Sequence, residues 1–83
     1  MEQPLSFSAN IQTIDGVTPD FHFHKIYTVR GVRYHVYVIK DGELYHFSMA
    51  QNGSGWKIIS APKPPQWILD IENKIGEVLV QSE

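Results

Sequence analysis

Cysteine is absent from this chain of 83 residues. No disulfide can staple the fold, no thiolate can hold zinc, and thiol chemistry is excluded. Charge is sparse as well. Charged residues make up 19% of the chain, the formal net charge is −2, and Lys and Arg never cluster. Non-specific nucleic-acid binding and attachment to anionic membranes both need clustered basic side chains, so neither is expected. No run is long and apolar enough to span a bilayer. Met1-Glu2-Gln3-Pro4 has neither the basic nor the apolar region of a secretion signal, so a cytoplasmic location is expected.

Apolar and aromatic side chains are plentiful. Hydrophobic residues reach 42% and aromatics 12%, which suits one small domain with a thin core of large side chains. Residues 5–14 alternate, with Leu5, Phe7, Ala9 and Ile11 on one parity and Ser6, Ser8, Asn10 and Gln12 on the other. That is a strand with one buried face. Asp15-Gly16 and Pro19-Asp20 mark a loop. Further strands are expected over 21–29, 32–40, 43–50 and 56–60, separated by Arg30-Gly31, Asp41-Gly42 and the Asn52–Gly55 segment.

The Asp41-Gly42 turn can be checked against the hydrophobic pattern. A two-residue loop pairs Lys40 with Glu43 and fixes every pair beyond. Val38 then faces Tyr45, Val36 faces Phe47 and Tyr34 faces Met49, all on one face. On the other face Tyr37 meets His46, His35 meets Ser48 and Arg33 meets Ala50. A two-residue turn at Arg30-Gly31 puts Phe23, Lys25, Tyr27 and Val29 on the apolar face. It also aligns His24, Tyr37 and His46 in one row, with His35 diagonal to both histidines. Arg30 would then need positive φ, which disfavours that turn. Past Asn52-Gly53, Trp56 and Ile58 fall on the apolar face whether the loop has two residues or four.

Pro62, Pro64 and Pro65 end the sheet, because proline cannot continue a ladder. From Gln66 the period changes. Trp67, Ile68, Ile71, Ile75, Val78 and Leu79 fall within roughly 120° of a helical wheel, which predicts an amphipathic helix over 65–80. Leu69, Asn73, Gly76 and Val80 form a second stripe, where Gly76 leaves room for another helix. An apolar sheet face and an apolar helix stripe can cover one another. The expected fold is α+β: a single antiparallel meander of four or five strands, packed on one face by a C-terminal amphipathic helix. Trp56 and Trp67 are expected at the centre of the core. The place of the first strand in the order stays open.

The opposite face carries all four histidines. As a binding surface it offers His24, Arg33, His35, Tyr37 and His46. Histidine ligates metals and changes charge near neutral pH, so a metal or small-ligand site on this face is the alternative reading. No carboxylate on these strands shares the face to orient the imidazoles. His35 opposite Ser48 is half of a catalytic pair, but nothing acidic backs the histidine and an open sheet does not exclude water. Asn52-Gly53-Ser54-Gly55 precedes a strand rather than a helix and lacks the Lys of a phosphate loop. The expectation is therefore a non-enzymatic domain without catalytic residues, metal or cofactor. It would work by protein–protein contact or self-association, through the open face or an edge strand.

Overall fold

The computed structural model describes residues 5–53, 55–60 and 62–81. Five strands, β1 (Ser6–Asn10), β2 (Asp20–Thr28), β3 (Gly31–Lys40), β4 (Glu43–Asn52) and β5 (Gly55–Ile58), form one antiparallel sheet in the order of the chain. Two helical segments follow, α1 (Gln66–Leu69) and α2 (Glu72–Gln81). This is the expected α+β meander with a C-terminal helix across one face. β1 takes the edge beside β2.

The β3–β4 hairpin has the register read from its turn, with Lys40 opposite Glu43 and Tyr34 opposite Met49. Asp41 and Gly42 both adopt positive φ, 55° and 78°, which matches the twist of the flanking strands. The β2–β3 hairpin departs from expectation. Its ladder closes at Thr28 opposite Gly31, so the loop is Val29-Arg30 and every pair shifts by two residues. Thr28 is the cause. Its hydroxyl donates to the Gly31 carbonyl at 2.7 Å and accepts the Arg30 N–H at 3.2 Å. Positive φ moves from Arg30 to Gly31, which takes it without a Cβ clash. Val29 becomes an exposed turn tip. A shift of two keeps every side chain on its predicted face. Lys25 stays on the apolar side without a bulge, half-buried, its ammonium 5.6 Å from the centre of the Tyr27 ring.

β1 ends at Asn10 because the chain reverses. Thr13 donates its N–H to the Val17 carbonyl at 2.8 Å, and its hydroxyl bonds both Asp15 and the Val17 carbonyl. The helix is also less regular than its periodicity. The Ile71 N–H bonds Ile68 at 3.1 Å, a tight 3₁₀ contact that separates α1 from α2 without turning the apolar stripe away.

Phe21, Phe23, Val36, Val38, Phe47 and Met49 from the sheet meet Ile68, Ile71, Ile75 and Leu79 from the helices, all essentially inaccessible. Each such side chain contributes about 1.5–3 kcal/mol on leaving water. Trp56 joins this core, but Trp67 does not reach its centre. It is half-buried at the rim, edge-on to Tyr45 at 5.4 Å, with the Lys40 ammonium 5.1 Å above its ring. Lys40 in turn pairs with Asp15 at 3.3 Å, tying the β1–β2 loop to the β3–β4 turn.

Gly76 is buried and faces the sheet rather than an outer partner. A Cβ there would lie 3.4 Å from the Trp56 carbonyl oxygen, at van der Waals contact, so α2 lies directly against the backbone of β5 at this position. The Ile59 N–H bonds back to β4, which turns the backbone groups of Trp56 and Ile58 outward. Glu72 accepts the Ile58 N–H at 2.8 Å. Part of the β5 edge is therefore met by the chain's own helix.

Candidate functional site

The face opposite the helix is paved in rows. One row runs Ser8, His22, Tyr37 and His46; the next runs Ser6, His24, His35 and Ser48. The sequence-derived row of His24, Tyr37 and His46 is thus replaced. His22 takes the place of His24, and His35 lies directly opposite His24 instead of diagonally, because of the two-residue shift set by Thr28. The side-chain hydroxyl of Thr28 was the signal in the sequence. Ser and Thr cap tight turns this way.

The rings are close enough to act together. His22 stacks on Tyr37 with ring centres 4.8 Å apart and planes 14° from parallel. His35 and His46 lie 5.6 Å apart. His24 Nδ1 is 2.7 Å from the Ser6 hydroxyl, which holds its ring toward β1. His24, Tyr37 and His46 are exposed, while His22 and His35 are half-buried. Arg33 shares the face but sits one row further, between Ile26 and Ala50. It borders a different depression, at the β2–β3 turn.

Two shallow hollows flank the histidines. One, of about 540 Å³, lies between β1, β2 and β3 and is bounded by Ser6, His22, His24, His35 and Tyr37. The other, of about 640 Å³, lies between His35, His46 and the proline segment 62–65, which brings Lys63 beside the face. Around them Ile39 is 62% and Leu44 61% exposed, and Ile26 and Ile59 are also uncovered.

The chemistry available here is limited. Among the described residues no group of three or more His, Cys, Asp or Glu side chains is arranged to hold a metal ion. No hydrogen bond links His35 to Ser48, and no carboxylate hydrogen-bonds to a histidine among the described residues. Contrary to expectation one carboxylate does share the face, because β2 begins at Asp20, but Asn10 donates to it at 2.6 Å at the far end of the face. The surface can stack, donate and accept hydrogen bonds, and bury aliphatic area.

Comparison with protein-family models, with curated proteins and with solved structures finds no match for this chain. No helix among the described residues is long and apolar enough to cross a membrane.

Proposed function

We propose that the domain works without catalysis, by docking a protein partner on the uncovered sheet face. The observation that carries this reading is the composition of that face. His22 stacks on Tyr37 and His35 lies against His46, and exposed Ile39, Leu44, Ile26 and Ile59 surround them. Aromatic centres with mixed polar and aliphatic borders are the surfaces that proteins bury against one another. The absence of any carboxylate–histidine pairing in the described face supports a contact role over acid–base chemistry.

The hollow between Ser6, His24 and Tyr37 favours a second reading, a small ligand with hydrogen-bonding groups and an apolar body. A capture experiment with the immobilised chain separates the two. Retention of a protein that is lost on Tyr37→Ser, with the fold unchanged by circular dichroism, is the expected result. Equal retention by both chains would overturn the docking reading. Chemical-shift changes confined to His22, His24 and Tyr37 with a small-molecule library would favour the second.

A further inference from the structure

The two edges of the sheet are treated differently. At β5, Glu72 accepts the outward Ile58 N–H and α2 lies against the Trp56 backbone at Gly76. Among the described residues no side chain or helix meets the outer edge of β1 in this way. The Lys25 N–H bonds Leu5 at 2.7 Å and the Ile11 N–H bonds Pro19 at 3.3 Å. Hydrogen-bonded positions alternate along an antiparallel pair, so Phe7 and Ala9 bond β2 while Ser6, Ser8 and Asn10 turn their backbone N–H and C=O groups outward. No hydrogen bond within the described residues satisfies those outward groups. The side chains leave the edge clear, because Ser6 bonds His24 and Asn10 bonds Asp20. Within Ser6–Asn10 there is no charged residue, no proline and no bulge. Natural sheets normally guard an exposed edge with such features.

From this asymmetry we infer that β1 pairs antiparallel with β1 of a second copy of the chain, joining two sheets into one across a two-fold axis at Ser8. It goes beyond the docking reading and uses a different surface.

A second copy fits better than an arbitrary strand, because the β1 pattern is complementary to itself. With Ser8 opposite Ser8, Ser6 faces Asn10 of the second copy and Phe7 faces Ala9. Outward backbone groups meet outward backbone groups, so each N–H finds a carbonyl. Parity is conserved, so the apolar face stays continuous and the histidine face stays continuous. The exposed Leu5 comes beside Ile11 of the second copy. Charge agrees as well. One row runs Asp20, Asn10, then Ser6 and His24 of the second copy, so like charges do not oppose one another. A five-residue edge buries little area, so the dimer is weak and depends on concentration.

The test uses the full chain from about 10 μM to about 1 mM, the range in which a small interface associates. Light scattering is expected to show the mass doubling toward the top of the range. Amide exchange over the same range is expected to slow at Ser6, Ser8 and Asn10 and to stay constant at Phe7 and Ala9. Ser8→Lys and Ser8→Glu each place like charges opposite one another at the axis. Each variant alone is expected to remain single, and an equimolar mixture to recover the doubled mass. A wild-type chain that stays single throughout overturns the proposal. So does a dimer whose protected amides lie outside β1, or one that both variants form as readily as wild type. If the variants fail to fold, the exchange pattern of the wild type decides alone. Dimerisation without partner capture, or capture by a single chain, tells this proposal from the docking reading.

Discussion

Single residues set the two tight turns, and they do it through backbone angle rather than packing. At Gly42 φ is +78° and open space surrounds the missing Cβ. Gly42→Ala meets no atom, yet left-handed backbone costs an L side chain roughly 1–2 kcal/mol. That loss is expected in the free energy of urea unfolding. An unchanged midpoint would mean the turn relaxes to another type. Asp41 tolerates its φ of 55° because short polar side chains visit this region more readily than most. Thr28 acts differently. Its hydroxyl closes the Val29-Arg30 loop on both sides, and so decides which side chains of β2 and β3 become neighbours further along the same hairpin.

At the scale of elements, the contact between α2 and β5 does more than cover a core. Glu72 supplies an acceptor for an outward N–H that no strand satisfies. Glu72→Ala leaves that N–H unpaired in a partly buried place, at a cost of about 1–3 kcal/mol. Glu72→Gln keeps a carbonyl acceptor and is expected to lose much less. Comparing the two unfolding curves, together with the exchange rate of the Ile58 amide, checks this. Equal losses would point to charge rather than to the hydrogen bond. The amphipathic stripe was legible in the sequence over 65–80. The tight turn at Ile71 and the inward place of Gly76 were not, because both follow from how α2 lies on one particular strand.

Across the whole molecule, the Lys40–Asp15 link joins two ends of the chain's loops, and its charges predict a pH dependence. The Thr13 hydroxyl, first of all, and then Lys40 hold the Asp15 carboxyl below the usual carboxylate range. A depressed carboxylate stabilises the fold above its unfolded pKa of about 3.9, and that contribution is lost as pH falls through the lower folded value. Lys40 is shifted the other way, raised chiefly by Asp41 and then by Asp15. Tyr45 is raised mainly by its hydrogen bond to Glu43. Both contributions are complete below the ordinary values, about 10.4 for Lys and about 10 for Tyr, and disappear as pH rises through the raised ones. Melting temperature against pH is expected to fall at both extremes. Asp15→Asn should flatten the acid side and remove one of the two causes acting on Lys40. An acid limb that survives this substitution intact would assign it to other carboxylates. The effect is small, since these groups are solvent-exposed and screened.

Five strands, the uncovered histidine face and the register of the β3–β4 hairpin were fixed by the chain's own alternation and by Asp41-Gly42. Local pattern carries that much because side chains alternate with a period of two, and the turn sets where two alternations meet. Tertiary structure alone decided the rest. It placed β1 at an open edge, laid α2 against part of the β5 edge, and moved Trp67 to the rim, whereas the place of His35 opposite His24 follows from the local turn at Thr28. Those outcomes depend on which backbone groups another element reaches and on whether a turn begins one residue earlier. A shift of two residues leaves the hydrophobic pattern unchanged while it changes every neighbour on the face.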